Sequence, residues 1–212
     1  YFDEKQAGML DTVRKLVILE TPSHDKPRLD RFAEFLAERL RQAGAQVEII
    51  PATGSGNHVR ARFNASEYAS EDAPDGAEDA KPALLLCHYD TVWPVGSWQT
   101  PWEVSHGRAH GPGIYDMKGG LLFILWLLRY LDSNDLEHPQ IEVLLNPDEE
   151  IGSMGSRSYI EEAARNANWV LVLEPCTLDG SLKVARKGSG EYVVSIKGRS
   201  SHQGAEPEKG IN

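Results

Sequence analysis

The sequence is poor in the features that mark several large classes of protein. It has only 2 cysteines in 212 residues, too few for a disulfide framework, and we expect Cys87 and Cys176 to be buried thiols that bind no metal. The net charge is −10 and no stripe of Lys and Arg is present, so neither a nucleic acid nor an anionic membrane is an expected partner. The longest apolar run, 121–128, is far shorter than the ~20 residues that cross a bilayer, which predicts no transmembrane helix.

The chain has enough apolar residues, 41% of the total, to bury a full core, and its composition fits a small-molecule substrate. It begins at Tyr1 with no basic and apolar leader, so we expect any targeting segment to be absent or removed, and the compartment is left open. The segment 65–82 is rich in Glu, Asp, Ala, Gly and Pro. We predict a mobile surface loop there, with an acidic partner site as the alternative.

Helical and strand patterns alternate along the first 173 residues. Apolar spacing predicts helices over 4–19, 26–44, 117–131 and 156–165, and strands around 47–49, 59–63, 84–88, 141–145 and 169–173. This order predicts an α/β sandwich with a mostly parallel central sheet. From Leu182 onward, apolar residues alternate with no helix between them, which predicts an antiparallel unit that begins near Lys187.

The apolar run that begins at Leu84 ends in two residues with metal chemistry. It predicts a strand buried on both faces, followed by His88 and Asp90. These two residues are two positions apart, so on an extended chain their side chains point to the same side. If His88 gives one ring nitrogen to a metal, Asp90 can accept a hydrogen bond from the other and fix the tautomer.

Three further stretches place carboxylates at predicted strand or loop ends: 111–120, 148–153 and 173–175. One imidazole with several carboxylates suits Zn²⁺, Mn²⁺ or Co²⁺, and the number of carboxylates indicates two ions with a shared ligand. Asp116, in a Gly-rich loop that enters a helix, is the expected bridge. We assign Glu150 to the metal and Glu149 as the general base that takes a proton from metal-activated water.

Each stretch taken alone also has an ordinary structural explanation. A histidine at a strand end is commonly structural, an Asp-Glu-Glu run is commonly a solvated surface, and Gly-Pro-Gly is commonly a turn. The 111–120 loop could instead cradle a phosphate, but it lacks the glycine spacing of the phosphate-binding motifs. The four stretches together, in this order, favour the metal site.

Together these residues resemble the co-catalytic zinc metallopeptidase family of glutamate carboxypeptidases, aminoacylases, acetylornithine deacetylases and succinyl-diaminopimelate desuccinylases, and its bacterial glutamate carboxypeptidases in particular. The resemblance spans roughly 5–212. The matching motifs are His88-x-Asp90-Thr91-Val92, Gly111-x-Gly113-x-x-Asp116-Met117-Lys118-Gly119-Gly120, Asp148-Glu149-Glu150-x-Gly152-Ser153, Glu174-Pro175 and Ser201-His202-x-Gly204-Ala205. It implies a zinc-exopeptidase-like three-layer sandwich over 1–187, and over 188–212 the start of a smaller α+β lid and dimerisation domain.

The resemblance also implies roles for these residues and a cofactor of two zinc ions, for which cobalt or manganese could substitute. His88 and Glu174 would bind one ion, Glu150 the other, and Asp116 would bridge them. Asp90 would orient His88, Glu149 would be the base, and the Asp116–Met117 peptide would be cis. His202 would reach the cleft of the neighbouring subunit in a homodimer and steady the carbonyl oxygen in the transition state.

The activity implied is the hydrolysis of an amide bond that releases a C-terminal amino acid, with glutamate expected, from a peptide or an N-acyl conjugate. One alternative is an N-acyl amino-acid deacylase or desuccinylase with the same metal cage. Another is a non-catalytic binding or dimerisation module that uses 187–212. The family also has a further histidine ligand and a carboxylate-binding arginine that find no match in this sequence, so we expect this chain to bind metal incompletely and turn over poorly.

Overall fold

The computed structural model describes residues 1–63, 81–188, 190, 192–202 and 204–211. The loop predicted over 65–82 lies outside the described residues except for its last two positions. The chain divides into two compact units, Tyr1–Pro175 and Cys176–Asn212. The boundary expected near Lys187, between a catalytic domain and the start of a lid and dimerisation domain, stays a prediction.

The first unit alternates helices and strands as the sequence predicts. Its helices are α1 (Phe2–Ile18), α2 (Lys26–Gln42), α3 (Gly119–Asn134) and α4 (Arg157–Arg165). Its strands are β1 (Gln46–Ile50), β2 (His58–Phe63), β3 (Ala83–His88), β4 (Glu103–Ser105), β5 (Arg108–His110), β6 (Ile141–Asn146) and β7 (Trp169–Val172). No helix in the described part of the chain is both long and apolar enough to span a bilayer.

Five strands form one mixed sheet in the order β1-β2-β6-β3-β7. β3 runs parallel to both β6 and β7, whereas β1 and β2, and β2 and β6, pair antiparallel. β3 lies in the parallel half of the sheet, between β6 and β7. It is buried on both faces because helices cover the sheet from either side. The carboxyl ends of β3, β6 and β7 therefore lie at one edge of the sheet.

Helices cover both faces of this sheet. α1, α2 and α3 pack on one face in a large core that includes Leu16, Leu29, Leu121 and Leu125. α4 packs on the other face, where Ala163 meets Leu84 and Leu144. Full burial of a leucine side chain contributes about 1.5–3 kcal/mol to stability. The predicted α/β three-layer sandwich is confirmed.

The structure corrects two details. α3 begins at Gly119 and not at 117, because the preceding turn at Ile114–Lys118 has non-helical φ and ψ angles at Asp116 and Met117. Cys87 is buried as expected, but Cys176 is exposed.

The strands predicted beyond Leu182 are not formed in the described residues of the second unit. Val184 and Val194 are 93% and 80% exposed, and an isolated bridge joins Arg199 to Ile211. An alternating apolar pattern becomes a strand only when a neighbouring backbone accepts and donates its hydrogen bonds. Beyond that bridge, the described part of this unit contains no pairing of that kind.

His58 at the start of β2 is a fully buried imidazole whose ring packs 4.8 Å from that of Tyr159. Burial lowers its pKa, although the charge of Asp148 opposes this. The unfolded chain therefore binds a proton near pH 6.5 that the folded chain does not, so stability should fall as the pH drops below 6.5, by at most about 1.4 kcal/mol per pH unit. Urea unfolding at pH 7.5 and 5.5 should show a smaller loss in His58→Gln than in the wild type. His110→Gln, which removes an exposed imidazole, should keep the wild-type loss, and an unchanged loss in His58→Gln would contradict this account.

Candidate metal centre

The site forms where the three parallel strands end. His88 is the last residue of β3, Glu149 and Glu150 follow the end of β6, and Glu174 lies two residues beyond β7. The loop that precedes α3 adds Asp116. Ligand sites in open α/β sheets gather at this edge because the carboxyl ends of parallel strands open onto a common crevice.

One donor atom from each of His88, Asp116 and Glu174 converges on a small volume. His88 Nε2 lies 3.1 Å from Asp116 Oδ1 and 3.3 Å from Glu174 Oε1, and the three donor atoms all lie within 4.8 Å of one another. Ligands that bind Zn²⁺ tetrahedrally at about 2.1 Å are separated by about 3.4 Å. The spacing and the nitrogen and oxygen donors therefore fit a zinc-sized divalent ion.

The adjacent acids Glu149 and Glu150 differ in their distance from this group of three donors. Glu149 Oε2 lies 3.8 Å from His88 Nε2, and its side chain is 51% exposed. Glu150 is half-buried and lies outside the group, although Asp116 is close enough for its charge to raise the Glu150 pKa. The structure thus brings together three of the four predicted metal ligands and the predicted base.

Without a cation the site holds an unfavourable concentration of negative charge. Burial raises the pKa of Glu149 and of Glu150, and neighbouring carboxylates raise both further, although the charge of His88 opposes this. Burial lowers the pKa of His88, but hydrogen bonds and charges from Asp90 and Glu174 outweigh it and raise the pKa to about 11. A divalent ion would reverse this repulsion and would displace the proton from His88.

Asp90 is a buried acceptor that connects three parts of the site. Its carboxylate lies 3.3 Å from His88 Nδ1, and its own carbonyl oxygen lies 3.1 Å from the same nitrogen. The carboxylate also accepts the backbone N–H groups of Glu149 and Glu150, each at 3.2 Å. Ser23 Oγ donates to it at 2.8 Å. Asp90 therefore positions the two glutamates as well as the imidazole.

The Asp116 loop has a backbone that only certain residues permit. The Asp116–Met117 peptide is cis, as predicted. Gly113 has φ +68°, and a Cβ there would lie 2.5 Å from Thr91 Cγ2, so a side chain at this position would be strained and would clash.

Lys118 anchors this loop from beneath. Its side chain is buried, and Nζ donates to the carbonyl oxygens of Leu16 at 2.8 Å and Leu19 at 2.9 Å, at the end of α1. Neither Lys118 nor Ser23 was predicted from the sequence to support the site. Lys118 lies within the Gly111–Gly120 motif, which could have indicated its role, whereas Ser23 has no local signal because its partner Asp90 lies 67 positions away.

His202 belongs to the second unit, where it lies on an exposed turn. The backbone N–H groups of Ala205 and Glu206 donate to its carbonyl oxygen at 3.2 and 3.0 Å, and Gly204 N–H donates to its ring nitrogen Nδ1 at 3.3 Å. These bonds hold the turn, and the transition-state role expected for His202 stays a prediction.

Comparison with known proteins identifies a matching family. The model of peptidase family M20/M25/M40 matches residues 84–206, the range that includes His88, Asp116, Glu149, Glu150 and Glu174. The chain belongs to this family. The predicted resemblance is confirmed, and the M20/M25/M40 assignment supports a metal-dependent hydrolase.

Two curated relatives differ in activity. Carboxypeptidase G2 of Pseudomonas sp. (strain RS-16) is 34% identical over 99% of this chain and 49% of its own length. Acetylornithine deacetylase of Proteus mirabilis (strain HI4320) is 31% identical over 98% of this chain and 52% of its own length. The chain thus spans about half the length of these two relatives.

Solved structures show the same fold. Human carnosine dipeptidase 1 matches with a TM-score of 0.68 at 18% identity, over 83% of this chain and 40% of that one. An M20 family metallo-carboxypeptidase from Sulfolobus solfataricus matches with a TM-score of 0.63 at 23% identity, over 81% of this chain and 38% of that one.

Glu174→Gln should weaken metal binding at this centre. The change keeps the size of the side chain but removes the negative charge that faces His88 Nε2 at 3.3 Å. We expect the affinity for Zn²⁺ to fall by at least about tenfold, the loss typical of disturbing a metal-site residue. Equilibrium dialysis against buffered Zn²⁺ measures this, with Glu137→Gln, an exposed acid outside the site, as the control. Equal affinities for the two variants would remove Glu174 from the ligand set.

Proposed function

We propose that the protein is a two-zinc hydrolase that releases C-terminal glutamate from peptides or N-acyl conjugates. This proposal is carried by the convergence of His88, Asp116 and Glu174 on one small volume. The Glu149 carboxylate lies 3.8 Å from His88 Nε2, beside these three residues. A carboxylate beside a metal-binding group, but outside it, is placed to move protons. The similarity to a carboxypeptidase supports the choice of a C-terminal amino acid.

In this proposal each residue has one task. When bound, the zinc ions supply positive charge that polarises the scissile carbonyl and lowers the pKa of water. His88 and Glu174 would hold one ion, Glu150 would hold the other, and Asp116 would serve as a ligand to both. Glu149 takes the proton from water and delivers it to the leaving amine, while Asp90 holds His88. His202 would act on the substrate of the neighbouring subunit in a homodimer, through a domain that starts near 188.

The experiment is the release of glutamate from N-benzoyl-glutamate by the purified protein, before and after dialysis against a chelator. We expect release to be slow, because the family's further histidine ligand has no match in this sequence, to stop on chelation and to return with Zn²⁺. Co²⁺ and Mn²⁺ are compared as substitutes. Release that continues at the same rate in chelator would overturn the proposal.

The second candidate is an N-acyl amino-acid deacylase, which the similarity to acetylornithine deacetylase favours. Both activities cut an amide with the same residues, so the substrate decides between them. Comparing kcat/KM for N-benzoyl-glutamate and N-acetyl-ornithine separates the two. If the protein binds zinc but cuts neither substrate, the remaining hypothesis is a non-catalytic binding or dimerisation module that uses 187–212.

A further inference from the structure

A cavity of about 490 Å³ opens beside Glu150. Its walls come from three segments of the first unit: the α1–α2 connection at 22–25, the chain after β3 at 91–95, and the turn that contains Glu150 and Ile151. This volume lies within the range of small-molecule sites. Because Glu150 belongs to the proposed active site, a molecule in the cavity would lie next to the reacting bond.

The walls of the cavity are mainly apolar. Val92, Val95 and Ile151 line it with 61%, 45% and 41% of their surfaces exposed, and Pro22 and Pro94 complete this surface. Covering exposed apolar side chains around a concave site with an apolar ligand is favourable, because it removes their surface from water. The lining therefore favours an apolar group over a hydrated one.

The polar groups in the lining favour an uncharged ligand. Ser23 Oγ is committed to Asp90, and the Asp25 carboxylate accepts the backbone N–H of Arg28 and pairs with its guanidinium. Among the residues that the structure describes, the lining includes two carboxylates, Asp25 and Glu150, and one imidazole, but no lysine or arginine. Asp25 is paired with Arg28, and Glu150 would hold a zinc ion in the proposed site. A carboxylate bound here would therefore lose its hydration against a mainly apolar wall without gaining a cation of its own to pair with.

We propose that this cavity binds the uncharged, apolar acyl group of the substrate, so that the carboxylate-bearing amino acid lies on the other side of the scissile bond. The inference rests on the proposed function, since it assigns the two halves of an N-acyl amino acid. It predicts that acyl size and acyl charge control the rate, independently of the amino acid that is released.

The first test compares three substrates of one amino acid: N-acetyl-glutamate, N-benzoyl-glutamate and N-(4-carboxybenzoyl)-glutamate. We expect kcat/KM for benzoyl to exceed that for acetyl by about tenfold or more, since the ring fills the cavity. The added carboxylate should lower kcat/KM by about tenfold relative to benzoyl, because it would lose its hydration against the apolar wall formed by Val92, Val95 and Ile151. Equal values for all three substrates would overturn the inference.

A matched pair of variants locates the effect. Val95→Asp places a charge in the apolar wall and should lower the benzoyl-to-acetyl ratio of kcat/KM by about fivefold or more. Val104→Asp makes the same change on an exposed valine of β4 that does not line the cavity, and should keep the wild-type ratio. The same ratio in both variants would place the acyl group elsewhere.

The second test measures binding without turnover. Trp93 lies between the lining residues Val92 and Pro94 and packs edge-on against Trp98 at 5.3 Å, so its fluorescence should report on the cavity. Titration of the zinc-loaded protein with benzamide should give a saturable change that is weaker in Val95→Asp than in Val104→Asp. Saturable binding without hydrolysis of any substrate supports the cavity and overturns the proposed function. Hydrolysis with neither benzamide binding nor acyl preference would support the proposed function and overturn the assignment of the cavity.

Discussion

Replacing Glu149 by Gln is expected to lower kcat for amide hydrolysis by about 10²–10⁴-fold and to leave the metal content unchanged. Glutamine keeps the size of the side chain but cannot take a proton from water. The carboxylate it replaces is half exposed and lies 3.8 Å from His88 Nε2, outside the group of three donors, so its loss should not empty the site. Steady-state kinetics and elemental analysis of the same preparation measure both quantities.

Glu150→Gln is the matched control, because it makes the same chemical change one residue along the chain. Here we expect the metal content to fall, and the activity to fall with it. If Glu149→Gln loses metal while Glu150→Gln keeps it, the roles of the two residues are exchanged. If Glu149→Gln keeps both its metal and its turnover, Glu149 is not the base.

The fold was predictable where local pattern and tertiary environment agree. The β3 run is apolar at every position up to His88, and such a run can be satisfied only between two covered faces, which is where it lies. The start of α3 was not predictable from apolar spacing, because Met117 and Lys118 are both buried yet belong to the preceding turn. A buried lysine that donates to the end of another helix gives no periodic signal.

The candidate site was predictable to the extent that topology alone brings residues together. His88 ends β3 and Glu174 follows the neighbouring parallel strand β7, and that order places their side chains at one edge. The position of Glu150 outside the group of three depends on the turn at Glu149–Ile151, and no pattern in the sequence gives the direction of a single turn. The hydrogen bond from Ser23 to Asp90 joins two loops far apart in the chain, so only the folded structure shows it.

Asp90→Asn is expected to damage both the stability of the fold and the affinity of the site for metal. The carboxylate is fully buried and accepts three hydrogen bonds, and an amide would turn an N–H group toward one of these donors. We expect the free energy of unfolding to fall by about 2–4 kcal/mol. One buried donor would lose its acceptor, and the remaining hydrogen bonds would be made to a neutral amide oxygen in place of a charged carboxylate. The affinity for Zn²⁺ should fall by about 10–100-fold, because His88 loses the group that orients it.

Ser23→Ala separates the two effects of that change. It removes one of the three donors to Asp90 but leaves the carboxylate beside His88 Nδ1 and the bonds to the backbone of Glu149 and Glu150. The free energy of unfolding should therefore fall by about 1 kcal/mol, and the zinc affinity should fall by less than in Asp90→Asn. Urea unfolding and zinc titration of both variants test this. Equal losses of zinc affinity would mean that Asp90 acts by holding the loops together and not through its charge at His88.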